Sequence, residues 1–380
     1  MIENKITEEV FSKDKFVLVE HELGDYGDVY DTPPVSFAKD SFLRLKKNKA
    51  AITALVLIIM IIILAIFGPM FNKFGYNDQN VDYVNLPPRI PVLEEFGIAD
   101  GTKILYNKRE EYLTDTNKYP EGSVIEIVNE YVVSDVAMVD VKVDAYAMAG
   151  VDEDTDFWMG TDYLGRDSWT RLWRGARVSL LIAMISVGAN ICIGLAYGAI
   201  AGYYGGKVDM VMMRITEIIS SFPQVIIATM LILLFGRGIS AIILALIIRG
   251  WVGTAKLIRG QFLRFKEREY VLAAKTLGVR DRVVIFRHIM PNSIGPIITR
   301  AMIEIPSAIF AEAFLAFIGL GLQAPEPSIG VLLSDAQKVL LTYPYQIVFP
   351  SILISTLMIS FNLLGNGLRD ATDPTMRGTI

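Results

Sequence analysis

Cysteine and histidine are nearly missing from this chain of 380 residues, which has one cysteine and two histidines. A lone Cys192 excludes an intrachain disulfide framework and any multi-cysteine metal site, and its place in an apolar run reads as a small buried hydrophobe. His21 and His288 stand far apart in the sequence, and neither sits at the spacing of a metal site or a nucleophilic triad. A GxxxxGK[ST] phosphate loop is lacking too. The nearest segment, YYGGKVD from Tyr203 to Asp209, is too short and has no first glycine, so ATP is not bound by that route. No catalytic, cofactor-binding or metal-ligating residue is therefore expected in this chain. Charge is what the long apolar runs lack, and they set its class.

Hydrophobic residues make up 52% of the chain, and mean hydropathy is +0.42. Because they are clustered rather than periodic, the composition predicts a multispanning membrane protein. The net charge of -5 hides an asymmetry. Acids gather in residues 1–35 and 77–156, whereas bases gather around residues 256–287. Such separation marks the two sides of a membrane, basic loops lying in the cytoplasm.

Residues 1–35 mix acids, glycine, Pro33 and Pro34 without sustained periodicity and predict a flexible cytoplasmic tail. This long polar start does not fit a cleaved signal peptide. Residues 36–71 predict an interfacial helix, where Phe42, Leu43 and Leu45 alternate with Lys46, Lys47 and Lys49, and then a first span, Ala50 to Phe71. That uncharged run of about 22 residues crosses a hydrocarbon core of roughly 30 Å. Residues 72–156 turn polar and acidic, with alternation in SVIEIVNEYVVSDVAMVDVKV, and predict a small, mainly β extracytoplasmic insert. Two roles stay open for it, a stabilising loop or a docking platform for an external partner.

Four further spans are expected before the C-terminal one closes the set: Val178 to about Tyr204, a third ending near Phe235, Ile239 to about Ala255, and Ile294 to about Leu322. The last runs from about Gln346 to Leu364, giving six spans with both termini inside. Arg166, Arg171, Arg174 and Arg177 precede the second span and by the positive-inside rule argue for cytoplasm. Parity of the spans places them outside, with Asp162 and Asp167 as expected ion-pair partners. Gly188, Gly194, Gly198 and Gly202 line one face of the second span and suit close approach of another helix. Intramembrane charges are functional candidates, and here they are Arg249, Glu304 and Glu312. The two glutamates lie within about 80° of each other around a helix, so one interior seam accommodates both.

Between the fourth and fifth spans lies EYVLAAKTLGVRDRVVIFRHIMPN, Glu269 to Asn292, too charged for lipid. It predicts a short helix capped by Gly278, an amphipathic turn over Arg282 to Ile289, and closure by Pro291. AAKTLGVRDRVVIFRHIMPN resembles the EAA loop of importer-type ABC permeases in its peptide and nickel branch. GTDYLGRDSWTRLWRGARVSL, AEAFLAFIGLGLQAPEPSIG and FNLLGNGLRDATDP resemble, in family order, segments of the C-type permease subunits of oligopeptide and dipeptide importers. The resemblance covers roughly residues 36–71 and 157–377 and says little of the insert. One departure is that the glutamate of EAA falls at Leu272, with Glu269 three residues earlier.

The resemblance implies a type I ABC importer permease with five helices in residues 157–377 and a coupling helix pair at 266–290. Glu269, Ala273, Ala274, Gly278, Arg280, Arg282, Arg287 and Pro291 would then meet the groove of a cytoplasmic ATPase, while the intramembrane charges Arg249, Glu304 and Glu312 are the candidates, read from the sequence itself, to line or gate the channel. Implied partners are a second homologous permease, two ATPases that carry ATP and magnesium, an extracytoplasmic peptide-binding protein, a peptide and the lipid of a bacterial cell membrane, with no nucleic acid. The alternatives are a nickel or other solute importer of the same branch and, from another class, a proton-coupled secondary transporter using Glu304 and Glu312.

Overall fold

A computed structural model describes residues 37–372 apart from Glu95 and Glu153; residues 1–35 and Arg377 lie outside the described residues. The amphipathic α1 (Phe37–Lys47) ends at Asn48, whose side chain accepts the Ala51 N–H at 3.1 Å and so caps α2 (Lys49–Phe67). One stripe of α2, Ala54, Ile58, Ile61 and Ala65, is buried, and Val56, Ile59, Ile63 and Ile66 on its remaining surface are exposed. For a helix this apolar, lipid is the solvent of that outer face.

The insert holds the one-turn α3 (Pro91–Glu94), β1 (Thr102–Arg109), β2 (Val124–Val133), β3 (Val136–Asp144) and the short α4 (Ala145–Ala149). Its antiparallel sheet has the order β1-β3-β2. Val133 pairs with Val136, and the two residues between them, Ser134 and Asp135, both have positive φ, as a tight hairpin turn requires. Asp140 accepts the Asn107 N–H at 3.0 Å, the Asn129 amide at 3.2 Å and the Tyr131 hydroxyl at 3.0 Å. The Asn107 N–H, with those two donors, holds the Asp140 carboxyl below the usual carboxylate range. The insert extends past its expected limit at 156. Phe157 stacks on Phe74 at 4.6 Å and packs against Tyr83 and Tyr146, which makes it a core residue of the insert.

Next come α5 (Ser168–Tyr204), α6 (Gly206–Ser221), α7 (Gln224–Phe235) and α8 (Ile239–Phe265). α5 begins at Ser168 rather than Val178 because Asp167 caps it, accepting the Thr170 N–H at 2.7 Å. The arginines before the expected span therefore sit at the end of a helix and inside the protein. Arg166 and Arg171 pair with Asp162 at 2.7 and 3.3 Å, Arg174 pairs with Glu326 at 3.2 Å, and Arg177 donates to the carbonyls of Ala65 and Ile66. Asp167 caps rather than pairs. Cys192 is exposed on α5, contrary to the buried role expected of it. The third crossing is bent: α6 and α7 meet at 78° around Pro223, which supplies no N–H to continue the first helix.

α8 runs on to Phe265, past the limit expected near Ala255, and carries the chain to α9 (Glu269–Thr276) and α10 (Asp281–Val283). α11 (Met290–Leu315), α12 (Ile329–Lys338) and α13 (Tyr345–Thr372) complete the described chain. Among the described residues, five helices are long and apolar enough to cross a membrane, and the bent α6–α7 pair makes six.

α5 packs on α8 through its small residues. A Cβ at Gly194, Gly198 or Gly202 would fall 2.7 Å from Thr254 Cβ, 2.3 Å from the Ala255 carbonyl or 2.7 Å from Phe262 Cβ. Gly188, the other glycine expected on this face, has nothing within 4 Å of that position. Gly198→Leu should therefore cost about 3 kcal/mol or more, because overpacking forces two backbones apart. Gly188→Leu should cost far less. The melting temperatures of the two variants in detergent check this, and equal values would refute the close crossing.

Candidate functional site

Two features stand out, a polar surface at one end of the bundle and a charged groove between its helices. The surface is built on α9. Val271 turns inward and packs with Val284, Ile289, Ile258 and Phe262, and Ala274 is buried three residues on. At its C-terminus the Leu277 N–H donates to Ala273 O at 3.0 Å, the Val279 N–H donates to Ala274 O at 3.1 Å, and Gly278 takes φ +75°. That left-handed turn is the glycine stop expected from the sequence. Tyr203 of α5 donates to Asp281 at 2.6 Å, and Lys275 lies over the Tyr203 ring, fixing the segment to the bundle. Arg259 of α8 grips Asp209 of α6 with two guanidinium nitrogens.

Glu269, Ala273, Gly278, Arg280, Arg282, Arg287 and Pro291 are all exposed on this surface. Ala274 is not: it is packed inside this chain. Leu272, where the family glutamate falls, is exposed with Leu277 and Phe286, so the outer surface is apolar as well as basic. Pro291 does not close the segment. It lies in the first turn of α11, where a missing N–H is tolerated, and a widened π-type turn at Val284–Ile289 leads into it without a break. Asp281 and Tyr203 were not singled out from sequence, since neither departs from an ordinary polar or interfacial residue until the fold brings them together.

The groove, of about 280 Å³, is lined by Asn190 of α5, Gln224 of α7, Arg249 of α8, and Arg300, Glu304 and Ser307 of α11. Arg249 and Glu304 thus line the same groove. Glu304 pairs with Arg300 at 3.4 Å and accepts the Thr254 hydroxyl at 3.2 Å. Arg300 was missed, although its position four residues before Glu304 on a helix is a readable signal. Glu312 is elsewhere. It is fully enclosed, accepting the hydroxyls of Ser179 at 2.8 Å and Ser328 at 2.6 Å, and Ser328 in turn caps α12. Those partners fasten α5, α11 and α12 together, and the two glutamates share no seam.

A family model described as the binding-protein-dependent transport system inner membrane component matches residues 194–378, and one described as the N-terminal TM domain of oligopeptide transport permease C matches residues 36–88. The dipeptide transport system permease protein DppC of Bacillus subtilis is 34% identical over 96% of this chain and 94% of its own length. DppC of Lactococcus lactis is 37% identical over 94% and 96%, respectively. Among solved structures, the MetNI methionine ABC transporter in an inward-facing conformation covers 52% of this chain and 96% of its own at 17% identity, with a TM-score of 0.41. With relatives this similar along nearly its whole length, the chain belongs to the family of binding-protein-dependent transport system inner membrane components, as a permease with the N-terminal domain of oligopeptide transport permease C.

Proposed function

We propose that this permease is a subunit of an ATP-driven peptide importer, working with a homologous second permease, two cytoplasmic ATPases and an extracytoplasmic peptide-binding protein. The observation that carries the reading is continuity: α11 leads from the exposed surface around Asp281–Ile289 to the groove residues Arg300 and Glu304. The surface is the docking place of an ATPase, through Leu272, Leu277, Gly278 and the side chains of Glu269, Ala273, Arg280, Arg282, Arg287 and Pro291. The groove with Arg249 and Glu304 is this chain's half of the channel. Both termini then lie in the cytoplasm of a bacterial cell, on the side of the ATPases, and the insert faces the binding protein. ATP and magnesium belong to the ATPase subunits.

Closure of the ATPase dimer moves the docking surface and with it α8 and α11, which shifts the groove between inward and outward access. Such a shift requires the docked partner to favour one state by differential contact. The likeness to dipeptide and oligopeptide permeases supports peptide as substrate. Two guanidinium groups in the groove, Arg249 and Arg300, repel a divalent cation and disfavour nickel.

The test is reconstitution. Vesicles holding the full assembly and supplied with ATP and the binding protein should accumulate a labelled tripeptide, and those without ATP should not. If the purified chain alone moved the peptide in ATP-free vesicles under a proton gradient, the reading would give way to secondary transport.

A further inference from the structure

Arg249 lies inside α8, well away from either end, and lines the groove. It forms no hydrogen bond or ion pair with any described residue. The other charges of the groove are already matched, Arg300 with Glu304 at 3.4 Å and Glu304 also with the Thr254 hydroxyl at 3.2 Å. The groove therefore carries one uncompensated positive charge at membrane depth, where a lone guanidinium is costly and marks a ligand path.

The surroundings are shaped for polar groups. Gly250 lets α8 lie against Asn190, since a Cβ there would fall 2.1 Å from the Asn190 Nδ2. At Gly253 a Cβ would fall 2.5 Å from the Arg300 Nη2. The Asn190 Oδ1 and the Arg300 Nε are buried without a hydrogen-bond partner. A planar guanidinium matches a carboxylate with two parallel hydrogen bonds. An unmodified linear peptide carries one carboxylate that is independent of its sequence, at its C-terminus.

We propose that Arg249 is a subsite of the channel that binds the C-terminal carboxylate of a peptide in transit, a role that rests on the peptide-import reading above. Arg300, held by Glu304, is not the anchor. The geometry leaves Arg249 alone with an open fork.

The experiment compares uptake of trialanine and trialanine amide by the full assembly in vesicles, each at a concentration that saturates the binding protein in a separate binding measurement. The wild-type assembly should carry the free acid about tenfold faster than the amide, a factor equal to roughly 1.4 kcal/mol. Arg249→Gln should slow the acid and bring the ratio close to one, while Arg249→Lys should keep a preference for the acid. A wild-type assembly that carries both peptides equally would overturn the subsite, as would an Arg249→Gln assembly with the wild-type ratio. If Arg249→Gln does not assemble with its partners, Arg249→Lys decides: it should show a smaller preference for the acid than the wild type, and the full wild-type ratio in that variant counts against the proposal. Uptake of neither peptide by the wild type would instead overturn the peptide reading, and the subsite with it.

Discussion

Gly278→Asp is expected to leave the protein inserted in the membrane while cutting ATP-driven uptake by at least about tenfold, since roughly 1.4 kcal/mol lost from partner docking is enough for that factor. The backbone at Gly278 has φ +75°, and nothing lies within 4 Å of an added Cβ. A side chain there meets no obstacle in this chain and pays only the left-handed strain, about 1–2 kcal/mol. The carboxylate would instead project from an exposed bend flanked by Arg280 and Arg282, where it neutralises the basic surface offered to the ATPase. Hydrolysis by the assembled complex should continue, uncoupled from transport. Gly278→Ala carries the strain without the charge and should fall between the two. Uptake by Gly278→Asp at the wild-type rate, with normal membrane levels, would show that this bend does not transmit the ATPase cycle.

Glu312→Ala is expected to lower stability by about 3 kcal/mol or more, combining two lost acceptors for hydroxyl groups with the cavity left by the side chain. Glu312 is fully buried between Ser179 and Ser328. Ser179 in turn accepts the Ile329 N–H at 3.1 Å, so the start of α12 hangs on the same cluster. Its loss should free residues 323–328, which lead into α12, and depress both melting temperature and uptake. Glu312→Gln keeps the volume and one acceptor and should lose less of each. A melting temperature for Glu312→Ala equal to that of the wild type would remove Glu312 from its fastening role.

The long elements were legible in the sequence because lipid imposes a simple rule: charge-free runs such as Ala50 to Phe71 have one reading. The β character of the insert was legible from the alternation in SVIEIVNEYVVSDVAMVDVKV, but the hairpin turn at Ser134 and Asp135 was not singled out. Helix limits were not. α5, α8 and α13 each extend beyond the apolar run into polar residues that are satisfied by folding, as Arg171 is by Asp162 and as Arg259 is by Asp209. β1 was missed because its inward residues are few and its order beside β3 is a tertiary fact. At the site, the Gly278 stop and the exposure of the arginines were readable from local chemistry. The division of labour between Ala273 and Ala274 depends on which side α9 turns to Phe262, and no local pattern carries that. The separation of Glu304 from Glu312 likewise came from what stands opposite each, Thr254 in one case and two serines in the other.

The run from Asp281 to Leu320 is a candidate span of 40 residues, with π-type turns at Val284–Ile289 and Ala316–Leu320 and with Pro296 and Pro306 inside it. At 1.5 Å per residue its length is about 60 Å, twice the thickness of a hydrocarbon core of roughly 30 Å. Over such a length a small angle becomes a large arc. A tilt of about 5° imposed at one tip swings the other by roughly 5 Å over that length. Groove residues near the middle, Arg300 and Glu304, travel only part of that distance. The greatest excursion falls at Gly319, whose non-helical φ of 82° lies at the far end of the run. In the reading proposed above, leverage along this run sets how far the end near Gly319 moves for a given push at Asp281.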